Sequence, residues 1–404
     1  MKIAVIGQGY VGLTVAVGAA AVEHNVVGFD INEKLITDLS QGNSYVPGII
    51  KKDLVNLVQL EKYIPTVDAK LIDGSEVIII AVPTPLNDQR DPNLKFIESA
   101  VKIIAQNMSS PALVINESTS YPGTLRGVIK PLLDKSSKQK FLFAASPERV
   151  DPGSKNWTIK NTPRIISGLT KEATEKAIKF YSTFCESITE VSTPEVAEAS
   201  KVFENTFRQI NIALVNEFSE ISDKLGFSAN EAIKAASTKP FGFMPFYPSI
   251  GVGGHCIPID PTYLSYIASQ KGITAQFINL ANQTNLLMPA KVAKRIQKYL
   301  DGNLKGKRIQ IAGIAYKTDV PDMRESPTIK LISELENLGA KVFWCDPLVK
   351  VFEDRKSQSL DINIDLGLIV NPHKEIDLSI WKRAGTNVLD LSSNPEDFGW
   401  PKFL

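Results

Sequence analysis

Apolar and polar residues follow one another along this chain in two rhythms. Lys2–Ile6 is a short, β-branched apolar run, the pattern of a strand buried on both faces. The run 13–22 is long and alanine-rich, as a helix would be, and Asn25–Phe29 returns to the strand pattern. Further strands are expected at 76–82, 112–116 and 141–145, with a helix from Tyr121-Pro122-Gly123-Thr124 to about 133. Strands alternating with helices predict a largely parallel sheet. The rhythm then changes. Ser192-Thr193-Pro194-Glu195 reads as cap, first-turn proline and acid, and a helical period follows to about 225. A second helical run covers about 274–300. Asp301-Gly302-Asn303 reads as a linker, after which strands restart at Arg308–Ala312 and 341–344.

Chemistry enters at the strand ends. Gly7-Gln8-Gly9-Tyr10-Val11-Gly12 is G-x-G-x-x-G, directly after a strand and at the head of a helix. Gly7 makes the tight turn, Gly9 admits a pyrophosphate, and Gly12 lets helix pack on strand, with Tyr10 and Val11 in the same loop. Asp30 ends the second strand about 20 residues on, where a carboxylate accepts ribose hydroxyls and repels a 2′-phosphate. This favours NAD over NADP, with Asn32 and Lys34 close enough to blur the preference. Pro83-Thr84-Pro85, Glu117-Ser118-Thr119 and Ser146-Pro147-Glu148-Arg149 end the next strands, where open α/β sheets bind ligands. The hydroxyls among them read equally as helix caps. The fold expected is α/β. It has an N-terminal Rossmann domain over 1–191, a long-helix middle over 192–301, and a C-terminal Rossmann-like domain over 302–404. The last lacks G-x-G-x-x-G, so it is expected to meet ligands with side chains such as Lys317 and Arg324.

Composition narrows the class. With 404 residues, two or three domains are expected. A net charge of +1 gives no electrostatic case for nucleic acid or an anionic membrane. Three cysteines in scattered positions suggest neither a disulfide framework nor a zinc site, which suits a reducing cytoplasm. No signal peptide, transmembrane run or metal site is read. One cysteine is different. It lies in Gly251-Val252-Gly253-Gly254-His255-Cys256-Ile257-Pro258-Ile259-Asp260-Pro261, where glycines permit close approach and prolines stiffen the far side. A nucleophile needs such a setting. On residue type alone, a structural cysteine in a turn is an equal reading.

Gly7 to Gly12, Ser146 to Arg149, the helix bearing Lys201 and Asn205, Gly251 to Pro261, and Tyr316 to Pro327 occur in one order. That order resembles the NAD-dependent nucleotide-sugar 6-dehydrogenases, the UDP-glucose/GDP-mannose dehydrogenase family, over essentially the whole chain. The resemblance implies a two-step oxidation of a sugar C6 alcohol to a carboxylate using two NAD, and a homodimer through the middle helices. It makes Cys256 the nucleophile that traps the aldehyde. Asp260 would relay protons through water, and Lys201 and Asn205 would stabilise the oxyanion. Glu148 would assist proton transfer and thioester hydrolysis, and Thr119 would hold a water or a nicotinamide contact. Cofactor contacts are implied for Gly7, Gly9, Tyr10, Val11, Gly12, Asp30, Lys34, Pro83, Thr84, Ser118, Thr119 and Arg324. Substrate contacts are implied for Glu148, Arg149, Val150, Lys201, Asn205, Arg208, Phe246, Tyr247, Gly253, Tyr316 and Lys317. His255 is expected to pack the loop or touch cofactor.

Two departures refine the match. The glucose-acting branch has a second glutamate where Pro152 stands here, so the run Glu148 to Gly153 and Glu204-Asn205-Thr206-Phe207-Arg208 resemble the N-acetylhexosamine branch, acting on UDP-N-acetylglucosamine or UDP-N-acetylmannosamine. Pro248-Ser249-Ile250-Gly251 also departs from the usual Pro-Gly-Pro-Gly. A UDP-glucose 6-dehydrogenase, a single-step 3-hydroxyacid-type dehydrogenase and an inactive NAD-binding protein are the alternatives. The NADH yield per substrate separates the two-step from the one-step and inactive readings.

Overall fold

The computed structural model describes residues 1–150, 156–394 and 398–404. Asp151, Pro152 and Gly153, part of the branch comparison above, lie outside the described residues. The chain divides into two units, one of residues 1–204 with 262–273, the other of 205–261 with 274–404.

The first unit is built on eight strands: β1 (Lys2–Ile6), β2 (Asn25–Phe29), β3 (Tyr63–Thr66), β4 (Val77–Ile80), β5 (Leu113–Asn116), β6 (Leu142–Ala145), β7 (Arg164–Gly168) and β8 (Ile188–Glu190). Their order is β3-β2-β1-β4-β5-β6-β7-β8. The first six are parallel neighbours, and the order reverses about β1, which pairs with both β2 and β4. Such a reversal opens a crevice at the strands' carboxyl ends. β7 runs antiparallel to β6, which the sequence pattern did not foretell. The unbroken apolar runs are explained by burial on both faces. Ile3 and Val5 pack with Leu13, Ala16 and Phe180, while Ala4 and Ile6 pack with Ile97, Val101 and Leu125. Each buried Val, Ile, Leu or Phe among them contributes roughly 1.5–3 kcal/mol on leaving water.

The helix expected from Tyr121 is different in form. It starts with a π turn, Leu125–Ile129, and becomes α-helical at Lys130–Ser136. Pro131 explains the change. It has no N–H to give, and its ring crowds the carbonyl four residues back. The wider turn relieves this, and Lys130 N–H bonds to the Leu125 carbonyl instead. Glu198, from the long helix Pro194–Leu225, accepts hydrogen bonds from Gly123 N (2.6 Å) and Leu125 N (2.9 Å) and so fixes the start of this segment.

In the second unit, β9 (Arg308–Ala312), β10 (Lys341–Cys345), β13 (Leu366–Ile369) and β14 (Val388–Asp390) form a separate parallel sheet, ordered β10-β9-β13-β14. Between them, β11 (Val351–Phe352) and β12 (Arg355–Lys356) make a small antiparallel ribbon. The strand starts at Ile3 and Ile309 thus belong to different sheets, as expected from the two-domain pattern. Ile309, Ile311, Leu331, Trp344 and Leu368 make the core with Val292 and Ile296 of the helix Gln276–Tyr299. That helix also meets the C-terminal part of Pro194–Leu225: Asn285 Nδ2 donates to the Gln209 carbonyl, and Lys291 pairs with Glu220 at 2.6 Å. Among the described residues no helix is long and apolar enough to cross a membrane, and no His/Cys/Asp/Glu cluster is placed to hold a metal.

Candidate active site

The glycine loop has the geometry of a phosphate cradle. Gly7 has φ +92°, and a Cβ there would lie 2.4 Å from the Ala81 carbonyl oxygen. A Cβ on Gly12 would lie 1.8 Å from the Gly7 carbonyl oxygen, so the helix Tyr10–Ala20 meets β1 where only glycine fits. At Gly9 the nearest atom would be the Tyr45 hydroxyl at 3.8 Å, so its Cβ side is open. The helix has no side-chain cap and no acid in its first turn, leaving its positive end for an anion. These features fit the pyrophosphate of a dinucleotide. Tyr10 packs edge-on against Tyr45, and Val11 is half-buried.

Asp30 closes the loop from the end of β2. Its carboxylate accepts from Gln8 N at 2.7 Å and from Asn32 N at 2.9 Å. Lys34 is exposed on the next helix. Two residues that the sequence reading missed support this corner. Gln8 is fully buried, donates to the Val5 (2.8 Å) and Gly7 (3.1 Å) carbonyls, and accepts from the Tyr63 hydroxyl at 2.7 Å. Burial pushes the Tyr63 phenol far above its ordinary range, so it stays a donor. The available signal was Gly28, a glycine inside a strand, where a Cβ would meet Tyr63 at 2.5 Å and Gln8 at 2.6 Å.

The next strand ends divide into open and committed groups. Pro83 is exposed, and Thr84 and Thr119 are half-buried. Ser118 is buried; its hydroxyl accepts from Val82 N (2.9 Å) and donates to the Val82 carbonyl (2.8 Å), tying the β4 and β5 tails together. Glu148, after β6, is held on both oxygens. Oε1 accepts from Arg149 N (2.6 Å) and Val150 N (2.7 Å), and Oε2 accepts from Arg164 Nη2 (2.5 Å). Burial opposes the charge, but Arg164, the two amides and Lys201 hold the carboxyl below its ordinary range. Arg149 is turned to Glu204 at 2.6 Å and to the Pro163 carbonyl at 2.8 Å. Lys201 is half-buried on the helix Pro194–Leu225.

In the second unit the cysteine loop lies on a bed from later in the chain. A Cβ on Gly253 would be 2.8 Å from Tyr316 Cβ and 2.9 Å from Pro327 Cδ, and one on Gly254 would be 2.8 Å from the Tyr316 ring. Gly251 and Gly254 have φ +123° and +87°. Gly254 N donates to the Arg324 carbonyl at 2.9 Å. Cys256 is half-buried, and its carbonyl accepts from Ile259 N (3.0 Å) and Asp260 N (2.8 Å), making a tight turn. Asp260 is 2% exposed at the head of the helix Asp260–Gln270, and its Oδ2 accepts from Asn205 Nδ2 at 2.6 Å. Three predicted residues, Asn205, Asp260 and Cys256, are therefore linked. His255 is directed to Arg324 Nη2 (3.2 Å) and Asp322 (4.0 Å). Arg324 itself binds Asp322 at 2.6 Å and holds that carboxyl low against the cost of burial. Tyr316, Lys317 and Tyr247 are half-buried, Phe246 packs edge-on with Phe207, and Arg208 is exposed although it shares the face of Asn205.

Three models of one family match the chain. They are the NAD binding, central and UDP binding domains of the UDP-glucose/GDP-mannose dehydrogenase family, over residues 1–185, 195–286 and 310–389. A UDP-N-acetyl-D-glucosamine 6-dehydrogenase of Pseudomonas aeruginosa is 35% identical over 86% of this chain and 83% of its own. A UDP-N-acetyl-D-mannosamine dehydrogenase of Pyrococcus horikoshii is 34% identical over 96% and 93%. The solved UDP-D-ManNAc dehydrogenase structure from Pyrococcus horikoshii superposes with a TM-score of 0.89 at 32% identity, covering 100% of this chain and 97% of that one.

Proposed function

Because this chain belongs to the UDP-glucose/GDP-mannose dehydrogenase family, with an NAD-binding domain at its N-terminus, we propose that it oxidises the C6 alcohol of a UDP-N-acetylhexosamine to the uronate. The relatives above act, by name, on the glucosamine and mannosamine epimers, and the sugar is assigned to that pair.

NAD supplies the hydride acceptor for both two-electron oxidations. The chain's own residues do the rest. Gly7, Gly9 and Gly12 seat the pyrophosphate, and Asp30 accepts the ribose hydroxyls. The first oxidation leaves an aldehyde, and the Cys256 sulfur adds to its carbon to give a thiohemiacetal. The second oxidation turns that carbon into a thioester. Water then attacks, the C–S bond breaks, and carboxylate and thiol are released. The balance is one alcohol, two NAD and one water giving one carboxylate, two NADH and three protons. Lys201 and Asn205 are one helical turn apart and suit the oxygen that carries charge in each step. Asp260 takes or relays the proton, and Thr119 suits a bound water.

The bond from Asn205 to Asp260, whose own amide is bonded to the Cys256 carbonyl, carries this reading most directly. It couples the oxyanion donor to the proton carrier beside the nucleophile. The remaining contacts named from sequence are proposed in the same roles, with 1–191 for cofactor, 192–301 for dimerisation and the cysteine loop, and 302–404 for the nucleotide. A homodimer is supported by exposed Phe203, Phe207, Leu214, Ile221 and Leu225, which form one stripe on the helix Pro194–Leu225. A reducing cytoplasm suits the reactive thiol.

The test is a panel of UDP-glucose and the two UDP-N-acetylhexosamines with NAD. An acetamido substrate turned over with two NADH per uronate supports the proposal. A yield of one NADH, or turnover of UDP-glucose alone, overturns it.

A further inference from the structure

We propose that Arg164 and Glu117 are positioning residues for this reaction: Arg164 fixes Glu148 as an oriented anion, and Glu117 carries the single proton that leaves their buried cluster neutral. The inference rests on the assignment of Glu148 to the oxidation machinery.

One guanidinium serves two carboxylates. Arg164 Nη2 donates to Glu148 Oε2 at 2.5 Å, and Nη1 donates to Glu117 Oε1 at 3.0 Å. Nη1 also reaches the Ser146 hydroxyl at 3.2 Å, and the guanidinium carbon stands 4.3 Å from the centre of the Tyr181 ring. The side chains of Arg164, Glu117 and Glu148 are 3%, 0% and 9% exposed. Two ionised carboxylates around one cation leave a net negative charge in the interior, where charge is costly. One bound proton removes it.

The donors decide where that proton sits. Glu148 receives three N–H donors over both oxygens, with Lys201 nearby. Glu117 receives Arg164 and the Tyr181 hydroxyl on the same oxygen. Its Oε2 has no hydrogen-bond partner among the described residues. Burial accordingly pushes Glu117 up to about 7, while Glu148 is held low. Tyr181 is pushed well above its ordinary range by burial, and Cys185 is pushed up to about 11, so neither changes charge near neutrality. Lys201 stands beside Glu148; of the buried groups Arg164, Glu117, Glu148, Tyr181 and Cys185, only Glu117 is set to exchange a proton near neutrality.

This gives Glu148 a defined behaviour. With Glu117 protonated, Arg164 serves Glu148 alone and keeps it weakly basic. When Glu117 ionises, the guanidinium is shared between two anions and Glu148 gains proton affinity. The base available to the oxidation therefore strengthens as Glu117 loses its proton.

The experiment compares kcat and KM across pH 6–8.5 for the wild type, Glu117→Gln and Arg164→Lys, with ligand-free melting curves alongside. Glutamine copies the protonated carboxyl, so Glu117→Gln should fold and bind NAD. It should lose the wild type's rise in kcat near pH 7, ending about fivefold below it at pH 8 with KM unchanged. Lysine keeps the charge but cannot fork between two carboxylates, so Arg164→Lys should lose about tenfold in kcat with its acid limb moved up. An active wild type whose rise persists in Glu117→Gln, or whose whole profile persists in Arg164→Lys, overturns the proposal. A wild type that makes no NADH from any nucleotide sugar instead overturns the functional assignment. In that case a melting curve of Glu117→Gln as pH-dependent as the wild type's would also remove the charge arrangement.

Discussion

Two glycines in one loop separate folding from cofactor binding. At Gly12 a methyl group would stand 1.8 Å from the Gly7 carbonyl oxygen and 3.3 Å from Ala81 Cβ. Both the helix and the turn are backbone and cannot rotate aside, so one must move by more than about 1 Å. Overpacking of this kind costs typically 1–3 kcal/mol. Gly12→Ala should therefore lower the melting temperature by several degrees and weaken NAD binding together. Gly9 is the opposite case. Its φ is −74°, which alanine adopts freely, and the nearest atom to an added Cβ is 3.8 Å away. Gly9→Ala should fold with unchanged or slightly greater stability, since alanine restricts the unfolded chain by roughly 0.4–1 kcal/mol. The same methyl would stand where the pyrophosphate approaches, so NAD binding should fall by at least about a hundredfold, near 3 kcal/mol. Scanning calorimetry gives the first quantity, and titration calorimetry with NAD gives the second. Gly9→Ala that binds NAD like the wild type would refute the assignment of this space to the pyrophosphate. Gly12→Ala with wild-type melting would refute the packing argument.

Other outcomes follow from the same geometry. Cys256→Ala should bind NAD normally and form no uronate by mass spectrometry; acid at the wild-type rate would end the covalent mechanism. Asn205→Leu removes the amide donor to buried Asp260 and should cost about 1–3 kcal/mol in urea unfolding, besides slowing turnover. Asp30→Asn should shrink the preference for NAD over NADP at least about tenfold, because the carboxylate no longer opposes a 2′-phosphate; an unchanged ratio of kcat/KM values would show that Asp30 does not set it. Glu198 is pushed by burial from 4.5 to about 7. A raised acid stabilises the fold fully below about pH 4.5, and that contribution is lost as pH rises through 7. Melting temperature should thus fall between pH 5 and 8, and fall less in Glu198→Gln; parallel slopes would count against this.

Local signals were legible in the sequence and long-range ones were not. The strand–glycine–helix start, the long helix from Pro194 and the cysteine loop each announce themselves within a dozen residues, because turn chemistry and apolar period are local. The reversal of β7 was invisible, since strand direction depends on partners distant in sequence. Arg164 was missed for the same reason: in Pro163-Arg164-Ile165 it reads as an ordinary strand-edge cation, and only the fold brings Glu117, Glu148 and Tyr181 around it. Gln8 stands at a variable position between glycines, and only the fold shows it as a buried brace. Ser118 was expected at the cofactor, yet its hydroxyl is used in joining two strand tails.

The packing of Gly253 and Gly254 on Tyr316 and Pro327 bears on how such proteins recombine. The cysteine loop lies in the segment matched by the central-domain model, and its bed lies in the segment matched by the UDP-binding model. A crossover placed between those segments would give the loop a foreign bed, and a displaced aromatic ring there would tilt the turn that presents Cys256. Chimeras should therefore tolerate exchange of the first 190 or so residues, which leaves loop and bed together, far better than exchange of the last hundred. The heritable module is the cysteine loop with its bed, two stretches far apart in sequence that must be inherited as a pair.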